Sequence, residues 1–297
     1  MSMLTNRIES VLATRVVEAR AMAVGFGLTG LEARLADGRQ VAVKARASAS
    51  PSGERGRASL PRSGLELEAF MLGELQRLSE LPVPCVHYAD ADLLVMDYIA
   101  QDGGGITPSV ERHAGALIAA LHATPRPHFG YARDTLIGPL AQPNPRAPSW
   151  VPFFRDHRLM VMAAQAHKDG ALPASLFARI ARLAERLDEH LIEPAYPSLL
   201  HGDLWTGNVL VRGGRVAGFV DPAIYFGAPE IELAFATLFG TFGADFFAAY
   251  EEVLPLAPGF HEGRRDIYNL YPLLVHVRLF GAGYLARVEA TLRRFGV

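Results

Sequence analysis

An α+β fold in two lobes, a small antiparallel sheet followed by a larger helical part, is predicted for this 297-residue chain by three observations. A glycine-rich turn near the N-terminus lies among segments of period two. From Val110 onward, apolar residues recur mainly at three- and four-residue spacing. Between the helical stretches, one short hairpin from Val209 to Val220 is bracketed by Asp203, Asn208 and Asp221.

Residues Ile8 to about Val24 have mixed helical character. Gly25-Phe26-Gly27-Leu28-Thr29-Gly30 then supplies a G-x-G-x-x-G. Dinucleotide-binding folds share that pattern, but there the glycines open a helix. Here Leu31, Ala33 and Leu35 alternate with Glu32, Arg34 and Ala36. Asp37-Gly38 is a turn signal, and Gln40 to Lys44 resumes an apolar strand. Strand, glycine loop, strand, turn, strand is the layout of a kinase phosphate lid, and it is favoured over a dinucleotide unit. Gly25, Gly27 and Gly30 are therefore expected to let backbone cover the phosphates of ATP.

Lysine occurs only at Lys44 and Lys168. A chain that otherwise uses arginine and histidine keeps a lysine inside Val41-Ala42-Val43-Lys44, whereas Lys168 reads as a solvated surface residue. Ser48 to Ser63, rich in Ser, Gly, Pro and Arg, reads as a mobile loop at about 46–64. Its Arg55, Arg57 and Arg62 can meet an anion, although a solvated basic loop is the plainer account. Leu65 to Leu78 reads as an amphipathic helix with Leu65, Met71, Leu72, Leu75 and Leu78 on one stripe. Glu68 falls in that stripe, where a carboxylate is costly unless paired. Lys44 is its natural partner, and the pair would orient Lys44 toward the α- and β-phosphates. The alternative is a misphased stripe with Glu68 exposed. Leu93 to Met96 reads as a buried strand ending in Asp97-Tyr98-Ile99, before Gln101 to Gly105 breaks the pattern. Residues 1–98 form the expected ATP-binding lobe and 99–297 the catalytic and substrate-binding lobe. Met96, Asp97, Tyr98 and Ile99 form the hinge whose backbone would meet adenine.

In the second part, Val110 to His122, Phe153 to Ala166, Leu176 to Leu191, Ile231 to Phe239, Phe246 to Val253, Ile267 to Phe280 and Tyr284 to Phe295 read as helices. Pro125 to Pro152 is loop-rich. The hairpin carries the chemistry. Val209-Leu210-Val211 and Val216 to Val220 read as strands joined by Gly213-Gly214, which sets Asn208 and Asp221 side by side at the open end. Two oxygen ligands there suit Mg2+, and Asp203, five residues before Asn208, can take a proton from a substrate hydroxyl. The bland account is that Asp203 and Asn208 only cap their loop.

Composition bounds the partners. Half of the chain is hydrophobic and the net charge is −2, which gives no reason to expect nucleic acid or an anionic membrane. No run of eighteen apolar residues suggests a membrane span, and Arg7 and Glu9 argue against a secretory signal. The single cysteine, Cys85, permits no internal disulfide and fits a cytoplasmic protein. Oligomeric state is open.

His201-Gly202-Asp203-Leu204-Trp205-Thr206-Gly207-Asn208 resembles the signature of the fructosamine kinases, the ketosamine-3-kinase group of the aminoglycoside phosphotransferase-like kinases. The resemblance continues through Val220 to Gly227, Glu230 to Ala234, Phe129-Gly130-Tyr131, Gln142-Pro143-Asn144, Trp150 with Phe153-Phe154, and Leu270 to His276. It implies a bilobal protein-kinase-like fold and ATP- and Mg2+-dependent phosphorylation of the C3 hydroxyl of a ketosamine, free or protein-bound. By motif match Asp203 is the base, Asn208 and Asp221 hold the metal, and Lys44 and Glu68 orient phosphate. Trp205 and His276 would line the ketosamine pocket, although Trp205 can equally brace its loop and His276 can be structural. The sequence departs from the family in its apolar glycine loop (Phe26, Leu28, Leu31) and in Val275 before His276.

Three other readings stay open. One is a kinase of the same fold acting on an aminoglycoside, choline-like or homoserine-like alcohol. Another is a pseudokinase, against which all five of Lys44, Glu68, Asp203, Asn208 and Asp221 are present. The last makes His201 and Asp203 ligands of a transition metal, which needs further ligands nearby.

Overall fold

The structure is a computed structural model that describes residues 2–46 and 59–297. Most of the segment expected as a mobile loop, Arg55 and Arg57 included, lies outside the described residues. Arg62 is exposed and sits 3.8 Å from Asp92, a solvated pair.

The first part runs α1 (Ser2–Leu12), β1 (Val16–Met22), β2 (Leu28–Leu35), β3 (Gln40–Arg46), α2 (Gly64–Leu78), β4 (Val86–Ala89) and β5 (Leu93–Asp97). Its five strands make one antiparallel sheet in the order β1-β2-β3-β5-β4. Strand alternation divides the apolar residues between two faces. Leu31, Ala33, Leu35, Val41, Val43, Leu93 and Val95 pack with Ile8 of α1. Ala42, Leu94 and Met96 pack instead with Leu65 and Leu72 of α2. Lys44 shares the parity of Ala42, so the sheet itself aims it toward α2.

The expected helical character from Ile8 to Val24 holds only to Leu12. Ala13 turns the chain with a φ of 51°, and Val16–Met22 forms an edge strand. Glu, Ala, Arg and Met in that strand are helix formers, but pairing with β2 outweighs propensity. The short half-exposed β4 has no clear sequence period and was not foreseen.

The helical part contains α3 (Pro108–His122), β6 (Thr135–Ile137), β7 (Leu140–Gln142), α4 (Trp150–Phe154), α5 (Met160–Lys168), α6 (Ala174–Ala184), β8 (Ser198–Leu200), β9 (Val209–Arg212), β10 (Arg215–Phe219), β11 (Tyr225–Gly227), α7 (Pro229–Leu238), α8 (Ala244–Glu251), α9 (Arg265–Phe280) and α10 (Leu285–Arg294). Helix α3 packs closely on α8, and Gly115 permits it: a Cβ there would stand 2.4 Å from the Phe246 carbonyl oxygen. The loop-rich stretch hides the hairpin β6–β7 and the start of α4. That start is capped by Glu193, which accepts from the N–H groups of Trp150 (2.7 Å) and Val151 (2.9 Å).

A buried polar layer packs against the segment between β10 and β11. Arg158 is fully buried, stacks 3.9 Å from the Tyr225 ring centre and donates to Asn144 Oδ1 at 2.6 Å. Gln142 Nε2 donates to Thr135 Oγ1 and to the Ala223 carbonyl, both at 2.9 Å. These bonds hold the segment that follows Asp221. Among the described residues no helix is long and apolar enough to cross a membrane.

Candidate active site

Pairing of β8 with β11 (Leu200 opposite Tyr225) delivers the chain to His201, whose carbonyl accepts from Ala223 N at 2.8 Å. Gly202 follows with a φ of 86°, and a Cβ there would lie 2.0 Å from the Ala223 oxygen, so only glycine fits. Asp203 comes next. Asn208, 3% exposed, donates through Nδ2 to the Asp203 carbonyl (2.8 Å) and to Asp203 Oδ2 (2.9 Å). The β9–β10 ladder then continues one step beyond the strands, with Val220 N donating to Asn208 O at 3.1 Å. Asp221 therefore stands next to Asn208 at the hairpin mouth, in a left-handed conformation with φ 54°. Asp is one of the few side-chain-bearing residues that tolerates it.

Lys44 Nζ donates to Glu68 Oε1 at 2.7 Å and also to Asp221 Oδ1. Its side chain is 9% exposed and that of Glu68 is 12%, so the stripe of α2 is in phase and Glu68 is buried. The structure thus makes two clusters, Lys44–Glu68–Asp221 and Asp203–Asn208, joined through the backbone of Val220.

Burial pushes the Asp203 carboxyl up to about 7, against the Asn208 hydrogen bond and with help from the charges of Asp221 and Glu232. Burial also pushes Glu68 up to about 7, although Lys44 pulls it down. For Asp221, which keeps 48% of its side chain exposed, burial pushes the carboxyl up, but the Lys44 charge and the hydrogen bonds to Lys44 and Glu68 together outweigh it and hold the carboxyl below its usual range. Burial works against the Lys44 ammonium, but the two carboxylates outweigh it and hold its pKa above the usual lysine value.

With both amide hydrogens of Asn208 spent on Asp203, its Oδ1 is left as an acceptor. Asn208 Oδ1 and the Asp221 carboxylate are hard oxygen donors of the kind magnesium takes alongside phosphate oxygens, so these residues fit that ion. Among the described residues no three His, Cys, Asp or Glu side chains converge as a metal site, and His201 Nδ1 already faces Asp203 N at 3.3 Å. The transition-metal alternative therefore finds no ligand set.

Of the three glycines, Gly25 and Gly27 lie in the turn, where added Cβ atoms would meet open space. Gly30 lies within β2 opposite Lys44, and a Cβ on it would strike the Met22 carbonyl at 2.4 Å. Its reason for being glycine is hairpin packing. At the hinge, Met96 is buried in β5, and the N–H groups of Asp97 and Tyr98 donate to Cys85 O (2.9 Å) and Gln40 O (3.1 Å). Those two donors are used by the sheet. The Ile99 side chain covers Gly218 of β10, the strand leading to Asp221.

Asp203 and His276 line one small cavity with Ile137, Tyr225, Phe235 and Tyr271. His276 Nδ1 lies 2.7 Å from the Pro272 carbonyl, which can only accept, so Nδ1 carries the proton. Trp205, 39% exposed, is not in that wall; its ring folds over Gly207 and meets Phe239 edge-on at 6.5 Å. Phe239 in turn lies 4.8 Å from His276. Trp205 and His276 are linked through a residue that sequence reading did not single out.

Glu232 was also missed as a site residue. It is buried on α7 and accepts from Gly202 N (2.5 Å), His201 N (3.2 Å) and His122 Nε2 (2.8 Å). Burial alone would raise its pKa, but His122 and these N–H groups outweigh that and lower it. The available signal was a second acidic residue in an otherwise apolar helix start, Pro229-Glu230-Ile231-Glu232-Leu233. Glu232→Gln puts an NH2 where at least one donor now points, so urea unfolding should show a loss of about 2–4 kcal/mol. An unchanged midpoint would remove Glu232 as the brace of the Asp203 loop.

Residues 62–295 match the model of the family described as fructosamine kinase. The chain is 36% identical over 235 residues to a probable ketoamine kinase of Synechocystis sp., covering 77% of this chain and 76% of that one. This chain belongs to the fructosamine kinase family. A chloroplastic protein-ribulosamine 3-kinase of Arabidopsis thaliana is 32% identical over 229 residues, 74% of this chain and 68% of the relative. The crystal structure of a protein assigned as a fructosamine-3-kinase from Thermobifida fusca superimposes with a TM-score of 0.86 at 30% identity, over 99% of this chain and 98% of that one. An aminoglycoside phosphotransferase in ternary complex with ADP and hygromycin B gives 0.67 at 16% identity over 99% of both chains, a likeness of fold. The fructosamine kinase fold is thus the aminoglycoside phosphotransferase-like one, and the chain is a kinase that transfers phosphate from ATP to a sugar hydroxyl. The family match begins after the glycine loop and Lys44.

Proposed function

We propose that this fructosamine kinase transfers the γ-phosphoryl group of Mg-ATP to the C3 hydroxyl of a ketosamine, a deglycating reaction carried out in the cytoplasm. The observation that carries the reading is the Asp203 carboxylate at the wall of the cavity shared with His276, beside Asn208 and the Lys44–Asp221 contact. The hydroxyl oxygen attacks the γ-phosphorus, its proton goes to Asp203, and the bond to the β-phosphate oxygen breaks to release ADP. Lys44, held by Glu68, meets the α- and β-phosphates, and Gly25 and Gly27 allow the turn to approach them. Met96 to Ile99 receive adenine. Asn208 and Asp221 would hold magnesium, which when bound neutralises phosphate charge. His276 presents Nε2 as an acceptor toward the sugar, and Trp205 covers the outer side. Positioning and electrostatics supply most of the rate enhancement.

The test is magnesium-dependent ADP release with ribulose-lysine and fructose-lysine, beside kanamycin, choline and a no-acceptor blank. Turnover with a ketosamine alone is the expected result. Turnover with kanamycin or choline and none with either ketosamine would keep the fold and reject the substrate.

A further inference from the structure

The glycine-rich turn does more than approach phosphates. Its tip residue, Phe26, has a φ of 58°, a conformation that a bulky side chain rarely holds. Such a conformation persists where surrounding contacts fix it. The contact here lies across the cleft. Gly138, in the turn between β6 and β7, has a φ of 55°, and a Cβ on it would come 3.1 Å from Phe26 Cζ and 3.5 Å from Leu279 Cδ1. The Phe26 ring therefore rests over the bare α-carbon of Gly138, beside Leu279. Both neighbours border the acceptor side. Ile137, adjacent to Gly138, lines the cavity that holds Asp203 and His276, and Leu279 lies on α9 three residues after His276. Phe26 is half-buried at the end of an otherwise exposed turn.

We propose that Phe26 is a specificity-determining residue of the acceptor site, carried there by the donor-side turn. Its ring closes the rim of the cavity between Gly138 and Leu279, selects acceptors that fit beneath it, and keeps water from the γ-phosphate. An apolar tip suits this task where a polar one would not. The inference rests on the phosphoryl-transfer reading above but not on the identity of the acceptor. When the rim is open, water replaces the sugar hydroxyl: its oxygen attacks the γ-phosphorus, the bond to ADP breaks, and phosphate and a proton leave.

The experiment compares the full-length chain with Phe26→Ala and Phe26→Leu, measuring ADP release with and without acceptor, KM for ATP and for acceptor, and Tm. For Phe26→Ala, acceptor-free ADP release should rise relative to acceptor-dependent release by about tenfold, with a higher KM for acceptor and an unchanged Tm. Phe26→Leu, which keeps apolar bulk, should fall between it and the parent. An unchanged ratio in Phe26→Ala, or a rise confined to the KM for ATP, would overturn the proposal and return Phe26 to the donor site. If the parent chain rejects ketosamines, the substrate assignment fails separately, and acceptor-free ADP release still decides the role of Phe26.

Discussion

Replacing Asp203 by Asn is expected to reduce kcat by about 10³-fold, with ATP binding retained and thermal stability raised above neutral pH. The loss follows from the role proposed for the carboxylate: an amide cannot accept the hydroxyl proton. The retained fold follows from Asn208, whose Nδ2 can still bond the backbone carbonyl of residue 203 and an amide oxygen in place of Oδ2. The stability gain follows from the pKa. Asp203 ionises near 7 in the fold against 3.8 ordinarily. Below the lower value both states are protonated and the group contributes nothing. Between the two values the unfolded chain has released its proton while the folded chain still holds one, so stability falls as pH rises, and above about 7 the full cost remains. Because Asp203 is only partly buried, that cost is on the order of 1 kcal/mol after allowance for solvent screening. The difference in Tm between variant and parent should be near zero at about pH 4 and positive at about pH 8. In the parent, kcat/KM should climb with pH up to about 7 as the base ionises. Steady-state kinetics, calorimetric ATP titration and thermal melts check each part. Normal turnover by Asp203→Asn would falsify the base assignment, and a lower Tm at about pH 8 would show that the carboxylate stabilises the loop instead.

The parts of this molecule that were legible in its sequence are those where one local rule decides. Period two in Leu31-Leu35 and the apolar run Val41-Lys44 marked the two strands, and the sheet then decides the side on which Lys44 projects. Gly213-Gly214 fixed the hairpin, and with it the nearness of Asn208 and Asp221. What could not be read depends on partners distant in the chain. The Val16–Met22 strand exists because β2 pairs with it. Glu232 serves the Asp203 loop only because β8 brings His201 and Gly202 beneath α7. Phe239 touches Trp205 and His276 because α7 ends where α9 passes. The glycine pattern carries a second constraint it did not announce: Gly30 has no room for a Cβ beside the Met22 carbonyl across the hairpin. Cap and turn signals are local; braces and walls are tertiary.

Replacing Lys44 by Met is expected to reduce turnover by about 10²-fold or more and to destabilise the fold at neutral pH by about 3 kcal/mol. The reason for the second effect is that one cation serves two carboxylates. Glu68 is 12% exposed; without Lys44 Nζ it stands buried against Asp221 with no cation beside it. Asp221, half exposed, is relieved by water, so most of the penalty belongs to Glu68. With the cation gone, burial and mutual repulsion raise the carboxyl pKa values above those of the unfolded chain. By the same linkage the penalty is present at high pH and fades as pH falls and the carboxyls take up protons. The destabilisation should therefore be larger at about pH 8 than at about pH 5. A second substitution separates stability from activity. Glu68→Leu in the Lys44→Met background removes the orphaned charge and fills the stripe of α2 beside Leu65 and Leu72, so the double variant should recover most of the lost stability while staying inactive. Urea unfolding of the parent, both single variants and the double variant gives the coupling directly. A double variant as unstable at about pH 8 as Lys44→Met alone would mean that Lys44 supports the sheet by packing, and that the carboxylate of Glu68 is not what it holds.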